Sequence, residues 1–220
     1  VIVDSDNQTF ASENGILYNK KTKVLLMCYS KDSNITIQEG ILSLEDNCFW
    51  QAQYTAQNIT LPDSLTSIGT QAFTPCYKIQ SLKIGKGVSS ISPYFKYNNY
   101  SGTVSIDSAN PYFMIKDNIL YSKDGKTMYN VLYQIQGSFT VPASVEKIQS
   151  SFVAQTKMTE LKLSEGVKEI GNVTLEDSKT TKIEIPSSVE KIEGAAFINC
   201  SSLTQVIIHK AKDSISGAPW

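Results

Sequence analysis

The sequence predicts a repeat solenoid, in which successive turns of the chain (rungs) stack on one another, and three observations support this fold class. The segment 183–205 recurs in degraded copies along most of the 220 residues. Each copy opens with an apolar–polar–apolar triplet, and six of the eight spacings between triplets are 22 to 24 residues, the period of stacked supersecondary units. The two longer spacings, 34 and 35 residues, carry insertions that match each other. The triplets begin at Val1, Ile35, Ile59, Leu82, Val104, Phe139, Leu161, Ile183 and Val206.

The triplets predict a parallel β-sheet. Side chains alternate between the two faces of a strand, so the outer residues of a triplet, such as Ile59 and Leu61, point into the core and the middle one is exposed. Because every rung returns its triplet to the same place, neighbouring strands run parallel, about 4.8 Å apart. The middle residues then form one exposed row, made of Thr36, Thr60, Lys83, Ser105, Thr140, Lys162, Glu184 and Ile207.

The remainder of each rung turns the chain and fills the core. Pro62 follows its triplet and ends the strand, since proline cannot donate to a sheet. An apolar pair, Leu65 with Ile68, points back inward. A small residue beside a bulky one then plugs the core from a short helical turn, as in Ala72-Phe73 and Ala196-Phe197. We therefore expect short helical turns and loops opposite the sheet, and buried Phe side chains.

The two insertions resemble each other at a constant offset of 103 residues, which aligns Val3–Asn7 with Ile106–Asn110. Asn14-Gly15 and Asp117-Asn118 are turn pairs that lie between short alternating runs, a pattern typical of β-hairpins. We expect each insertion to form a β-hairpin or a three-stranded meander on the outside of the solenoid.

We expect a single solenoid domain over residues 1–220. The final segment opens like another rung and stops within it, so we also expect a fragment of a longer chain. The predicted long rungs are 1–34 and 104–138, the short rungs are 35–58, 59–81, 82–103, 139–160, 161–182 and 183–205, and the partial rung is 206–220.

Composition argues against several classes of partner. The hydrophobic fraction is 41%, the charged fraction is 19% and the net charge is -1, so no charge-driven partner is implied. None of the 20 basic residues is Arg. The planar guanidinium group, which forms paired hydrogen bonds with phosphate and guanine, is therefore missing, and we expect no nucleic-acid partner. No apolar run approaches the ~18 residues of a membrane span.

Catalytic and metal-binding patterns are missing from the sequence. His209 is the only histidine, and neither a nucleophile–base pair nor a convincing zinc set can be assembled around it. The cysteines lie far apart without Cys-x-x-Cys spacing, and Cys76 and Cys200 occupy equivalent rung positions, so we expect free, buried thiols. We expect no enzyme, no cofactor and no metal site.

The repeat unit resembles a known family. In residues 59–81 and 183–205, the pattern Ile-Pro-x-Ser-Val-x-x-Ile-x-x-x-Ala-Phe-x-x-Cys-x-x-Leu is similar to the repeat of BspA-like leucine-rich-repeat surface proteins of anaerobic bacteria and some mucosal protists. The resemblance spans essentially residues 1–220, although rungs 82–103 and 161–182 lack the Ala-Phe-x-x-Cys plug. It implies a right-handed leucine-rich-repeat solenoid with its parallel sheet on the concave face, and a cell-surface or secreted location.

Charged residues on the predicted sheet have a structural interpretation. The 22-residue period places Glu160 beside Lys182 and Lys162 beside Glu184, which predicts two opposite-sign pairs between neighbouring strands. Each such pair contributes about 0.2 to 1 kcal/mol and favours this register over a slipped one.

Three surfaces remain as candidates for binding a partner: the exposed row, the loop 94–100, and the pair of hairpins, whose tyrosines, Tyr112 among them, more often cover the flank of a solenoid than contact a ligand. The exposed row would line the face with which solenoids bind proteins. The loop 94–100 replaces the usual plug with four aromatic residues, of which Tyr94, Tyr97 and Tyr100 are of the kind that binds proteins and glycans well.

Two functions are open at this point. The first is a non-enzymatic recognition and adhesion module that binds a host or neighbouring-cell protein or glycan. The second is a structural spacer or stalk that presents another domain and has no ligand of its own. We expect an extracellular or cell-surface location for either.

Overall fold

A computed structural model describes residues 1–73, 76–92, 102–132, 135–150, 157–176, 178–211 and 214–217. The chain forms two compact units, Val1–Ile115 and Lys116–Trp220. Each unit combines a four-stranded sheet built from the triplets, here called the triplet sheet, with a six-stranded second sheet.

The first unit begins with an antiparallel meander and continues as parallel rungs. Its strands are β1 (Phe10–Glu13), β2 (Ile16–Asn19), β3 (Val24–Cys28), β4 (Asn34–Thr36), β5 (Ser43–Leu44), β6 (Asn58–Thr60), β7 (Ser67–Ile68), β8 (Ser81–Ile84), β9 (Ser90–Ile91) and β10 (Thr103–Ile106). The triplet sheet has the order β10-β8-β6-β4, and the second sheet has the order β1-β2-β3-β5-β7-β9.

The second unit repeats this plan. Strand β11 (Phe113–Lys116) lies at the boundary between the units, and β12 (Ile119–Ser122), β13 (Thr127–Val131), β14 (Gln136–Thr140), β15 (Lys147–Ile148), β16 (Lys157–Lys162), β17 (Glu169–Ile170), β18 (Lys182–Ile185), β19 (Lys191–Ile192) and β20 (Gln205–Ile208) follow. The triplet sheet has the order β14-β16-β18-β20, and the second sheet has the order β11-β12-β13-β15-β17-β19.

The predicted solenoid is confirmed. Eight of the nine triplets lie in parallel strands at the predicted register, with Ile35 opposite Ile59 and Leu161 opposite Ile183, for example. The exception is Val1–Val3, which forms no strand. The two predicted hairpins are also confirmed, and their turns hold Asn14, Asp117 and Asn118 at positive φ of 49°, 51° and 56°.

The segments opposite the triplet sheet form short strands in place of the expected helical turns. Pairs such as Ser67-Ile68 are two-residue strands that join the second sheet, and within the described ranges the only helical segment is a 3-10 turn at Trp50–Ala52. In both Asn47 and Gln71 the backbone has positive φ, at 55° and 54°, one residue before the buried plug. This left-handed residue interrupts any helix at the same place in successive rungs.

The core of each unit lies between its two sheets. In the first unit Phe49 and Phe73 are fully buried, with ring centroids 4.9 Å apart and planes tilted by 32°. The expectation of equally buried plugs is wrong for Phe197, which is half-buried. Its rung lies next to β20, whose Val206 and Ile208 are themselves 43% and 41% exposed, so less chain packs over it.

Candidate recognition surface

In the first unit, the predicted row of middle residues forms one aligned column across the triplet sheet. Thr36 lies opposite Thr60, Thr60 opposite Lys83, and Lys83 opposite Ser105. Thr60 is half-exposed and the other three are exposed. The alignment follows from the alternation of side chains, because a triplet that buries its outer residues must turn the middle one to solvent.

The polar groups of this column are not used by the fold. Throughout the described part of the chain, no side-chain hydrogen bond or ion pair involves Thr36, Thr60, Lys83 or Ser105. Beside three of them the sheet face holds a shallow depression of about 290 Å³, which is lined by Asp63 together with Thr60, Lys83 and Ser105. Hydroxyl groups and an ammonium group therefore face solvent, ready to bond to a partner.

The neighbouring hydroxyl groups of the same unit behave differently. Thr66 Oγ1 donates to Leu42 O at 2.9 Å, and Thr103 Oγ1 donates to Gln80 O at 3.3 Å. Each of these bonds ties one rung to the rung before it. The hydroxyl groups of the column thus differ from those of Thr66 and Thr103, which the fold uses to join rungs.

The second unit carries an equivalent column with more charge. Thr140 lies opposite Lys162, Lys162 opposite Glu184, and Glu184 opposite Ile207. Thr140, Lys162 and Glu184 are exposed and Ile207 is half-exposed. A depression of about 420 Å³ opens on this face. The structure therefore aligns the row within each unit as the sequence predicts, and the part it plays in binding stays a prediction.

The predicted ion pairs between strands are replaced by pairs along each strand. Glu160 does lie opposite Lys182 and Lys162 opposite Glu184. However, Lys162 Nζ lies 3.4 Å from Glu160 and Lys182 Nζ lies 3.7 Å from Glu184. Residues two apart in a strand share a face, so the neighbour along the strand competes with the neighbour across it. These exposed pairs contribute little to stability, about 0 to 1 kcal/mol each.

His209 binds Glu184 on this face, a contact that sequence spacing alone does not predict. Its Nε2 lies 2.5 Å from Glu184 Oε1, and both side chains are about half exposed. The hydrogen bond from His209 is the main cause that holds the pKa of the Glu184 carboxyl below its ordinary value, and Lys182 adds to it. As expected, His209 is a surface residue just after a strand, but it is also part of the charged column.

The predicted aromatic loop cannot be placed. Tyr94, Tyr97 and Tyr100 lie outside the described residues, so their role stays a prediction. Exposed aromatic side chains do occur elsewhere. They are Tyr112, one of the hairpin tyrosines, and Trp50, Tyr54 and Tyr77, which the repeat pattern does not single out, and they are 52% to 65% exposed.

The cysteines are free, as predicted, although not all are buried. Cys28, Cys48 and Cys76 are buried, whereas Cys200 is half-buried in the same thinly covered rung as Phe197. Among the residues that the structure describes, no group of three or more His, Cys, Asp or Glu side chains is arranged to hold a metal ion. The same residues include no helix long and apolar enough to cross a membrane.

Comparison with known proteins supplies the family context. The BspA-type leucine-rich repeat region matches residues 26–136 and 126–218, in six copies. Among solved structures, the chain is similar to the pneumococcal vaccine antigen PcpA, with a TM-score of 0.59 and 23% identity over 81% of this chain and 53% of that one. It is also similar to a leucine-rich repeat protein from Eubacterium ventriosum, with a TM-score of 0.57 and 16% identity over 93% of this chain and 71% of that one.

These structural likenesses concern the fold. The present chain spans about half of the length of the pneumococcal antigen chain, since it covers 53% of it. No curated protein sequence matches the chain. At these identities a common scaffold does not carry a ligand from one protein to another.

Proposed function

The chain belongs to the BspA-type leucine-rich repeat family, and on that premise we propose that it is a non-enzymatic recognition module that binds an extracellular protein through its triplet sheets. The extracellular location is part of the proposal. It rests on the resemblance of the repeat to the repeats of surface proteins. Solenoids of this kind present extended sheet faces to their partners.

The observation that carries the proposal is the unused column of the first unit. Four side chains with hydrogen-bonding groups stand in register on four adjacent strands and make no bond to the described chain. Beside the second sheet of the second unit, by contrast, Glu146 binds both Lys126 and Lys168. Alternation along the strands accounts for the alignment, and the unused hydrogen-bonding groups are what supports a partner that bonds along the column.

Small polar residues on this face favour a hydrogen-bonded, wet interface. Such interfaces carry roughly one hydrogen bond per 100 to 200 Å² and include bridging water. The aromatic loop 94–100 would add larger contacts, and its participation is part of the proposal. A glycan partner and a spacer without a ligand are the two competing outcomes.

The experiment measures binding of the whole chain to a panel of extracellular-matrix proteins and to a glycan array. A double variant, Thr60→Glu with Lys83→Glu, places a charge change of three units in the column. A matched control, Ser90→Glu with Lys78→Glu, places the same change at exposed positions away from the triplet sheet. Circular dichroism and melting curves check that both variants fold.

We expect a protein of the panel to bind, the column variant to lose at least about tenfold in affinity, or 1.4 kcal/mol, and the control to bind as the parent does. Equal loss in both variants would show a nonspecific charge effect. Binding to glycans alone would replace the protein partner with a sugar. No signal above that of an unrelated solenoid would leave the chain as a spacer.

A further inference from the structure

Three aromatic side chains are exposed on the first unit, outside its triplet sheet. Trp50, Tyr54 and Tyr77 are 52%, 65% and 58% exposed. They lie on the segments that return the chain from the second sheet to the triplet sheet, two of them between β5 and β6 and the third between β7 and β8. No residue of the column belongs to these segments, so the exposed aromatic area is a separate feature of the surface.

Contacts between neighbouring rungs bring Tyr54 and Tyr77 together. The buried Phe plugs described above join the two segments near their start. Near their end, Gln80 N–H donates to Gln57 O at 2.7 Å. Tyr54 lies three residues before Gln57, and Tyr77 lies three residues before Gln80. Because the segments are joined at both ends, the two tyrosines occupy the same place on neighbouring rungs, which are about 5 Å apart in a parallel stack.

Trp50 and Gln53 complete the cluster. The 3-10 turn Trp50–Ala52 continues as further tight turns, since Gln53 N–H donates to Trp50 O at 3.4 Å. Ala56 N–H likewise donates to Ala52 O at 3.0 Å. Residues three and four apart share one side of such a run, which places Gln53 and Tyr54 next to Trp50. Gln53 is only 8% exposed, so its side chain lies deeper than the two rings.

The fold leaves the binding groups of this cluster unused. Wherever the chain is described, no hydrogen bond is made by the side-chain amide of Gln53, the indole N–H of Trp50 or the hydroxyl groups of Tyr54 and Tyr77. Nor does the described structure show a ring–ring contact for any of the three aromatic side chains. A nearly buried amide without a partner costs stability. The Gln53 amide is therefore the kind of group that a bound ligand satisfies.

The repeat itself does not require aromatic residues at these places. Counted from the Phe plug of each rung, Tyr77 corresponds to Ser201 in the second unit, and Tyr54 corresponds to Ser202. Ser201 is exposed and Ser202 is half-exposed. The same positions of the fold thus accept small polar residues, and packing does not explain why the first unit carries tyrosines there.

The size and chemistry of the cluster favour a small neutral ligand. Three half-exposed aromatic side chains present roughly 400 Å², whereas a stable protein interface takes about 800 Å² from each partner. None of the four side chains is charged. The faces of aromatic rings carry negative potential and attract the C–H groups on one face of a sugar ring. An amide can both donate to and accept from the hydroxyl groups of the same sugar.

We propose that Trp50, Gln53, Tyr54 and Tyr77 form a binding site for a neutral oligosaccharide. The C–H face of a sugar ring stacks on the aromatic rings, and the Gln53 amide bonds its hydroxyl groups. This ligand is additional to the protein partner proposed for the triplet sheets, and neither depends on the other.

The fluorescence of Trp50 reports binding directly. The chain has two tryptophans, so Trp220→Phe leaves Trp50 as the only one. This full-length variant is titrated with the hexasaccharides of β-linked glucose, galactose and N-acetylglucosamine. Heparin fragments serve as a charged comparison, because the exposed Lys78 adjoins Tyr77. We expect at least one neutral hexasaccharide to change the Trp50 emission saturably, and heparin to give no saturable change.

Substitutions in the same background identify the residues that bind. Tyr54→Ser with Tyr77→Ser copies the second unit and should weaken binding at least about tenfold. Gln53→Leu removes the amide and should weaken binding about threefold to tenfold. Tyr112→Ser is the matched control, since it removes a comparably exposed tyrosine outside the cluster and should bind as the parent does. The column variant described above should also bind the sugar normally, which separates the two surfaces.

Three results would overturn the proposal. The first is the absence of a saturable change with any of the neutral hexasaccharides. The second is a loss in Tyr112→Ser as large as the loss in the cluster variants. The third is a Trp50 response to heparin or to a matrix protein but to no neutral sugar, which would assign the cluster to that ligand. Circular dichroism checks folding, and if the double tyrosine variant does not fold, Gln53→Leu against Tyr112→Ser decides.

Discussion

The four cysteines differ in how far the fold protects them. Burial raises the pKa of the Cys28 thiol to about 11 and that of Cys76 to about 12, and it raises the pKa of Cys48 well above its ordinary value. Cys200 is half-buried. Because the thiolate is the reactive form, both access and ionisation protect the first three. The repeat assigns Cys76 and Cys200 to one rung position, and only the coverage of each rung separates these two.

This difference predicts selective labelling. With a thiol reagent at neutral pH, the folded chain is modified at Cys200 first and at the other three only as fast as it unfolds. The Cys200→Ser variant shows no rapid phase. Mass spectrometry of the labelled peptides determines the order in which the cysteines are modified. Rapid modification of Cys48 would contradict its burial.

The two Phe side chains that plug the core also differ in burial. The sequence assigns Phe73 and Phe197 to one rung position, but Phe73 is fully buried against Phe49 and Phe197 is half-buried. Phe73→Ala should lower the free energy of unfolding by about 3 to 5 kcal/mol, as for a buried aromatic side chain. Phe197→Ala should cost about half as much or less, since less area leaves the core. Denaturant melts compare the two, and equal costs would contradict the packing.

At the scale of elements, sequence periodicity finds the triplet strands and misses the second sheet. A triplet such as Leu161–Leu163 shows the alternation typical of a strand. The parallel strands that extend the second sheet beyond the insertions, such as Ser67-Ile68 and Glu169-Ile170, have two residues each, too few to show any period. They form because the rung before them offers hydrogen-bond partners at a fixed distance, which is tertiary information.

The second sheet of the second unit carries a ladder of alternating charge. Lys126 and Lys168 bind the two oxygens of Glu146 at 2.7 and 2.8 Å. One residue on, Lys147 and Lys191 bind Glu169, both at 3.1 Å. Each carboxylate thus joins three successive rungs. Glu190 stands at the same rung position as Glu146, and no ion pair involves it in the described part of the chain.

The ladder predicts a response to acid. The two lysines hold the pKa of Glu146 at about 2, below its ordinary 4.5. A carboxyl group whose pKa is lowered by folding stabilises the fold above its unfolded pKa, and this contribution is lost as pH falls through the folded value. Glu146→Gln should therefore be less stable than the parent at pH 7, and the difference should shrink between pH about 4.5 and about 2.

Glu190→Gln is the control for this prediction, because it removes the same charge at the same rung position without breaking an ion pair. It should leave the pH profile of stability close to that of the parent. Salt should also reduce the effect of Glu146→Gln, since exposed charges are screened. An effect of Glu146→Gln that persists unchanged at pH 2 would contradict the role of its ionised form.

At the scale of the whole molecule, the sequence predicts the scaffold well and the partner poorly. The repeat period places eight triplets at the register observed, because a one-residue slip would turn every buried side chain of a triplet outward. Val1–Val3 has the triplet pattern and forms no strand. The single domain over residues 1–220 stays a prediction.

The same alternation of apolar and polar residues predicts the candidate surface, but the sequence contains no signal for a ligand. The column Thr36, Thr60, Lys83 and Ser105 follows from the pattern of the triplets, but its freedom from internal hydrogen bonds is visible only in the structure. The contact between His209 and Glu184 depends on how the chain turns after β20, which no period encodes. The triplet pattern thus predicts which residues of the column face outward and leaves open what they bind.

Lysine footprinting tests the central claim, that the triplet sheets are the recognition surface, most directly. The chain is acetylated alone and in complex with the best-binding protein of the extracellular-matrix panel. We predict that Lys83 and Lys162 lose reactivity several-fold in the complex, while the exposed Lys78 and Lys179 stay reactive. Protection of Lys78 and Lys179 with Lys83 and Lys162 unchanged would contradict the account, and so would a complex that protects none of the four.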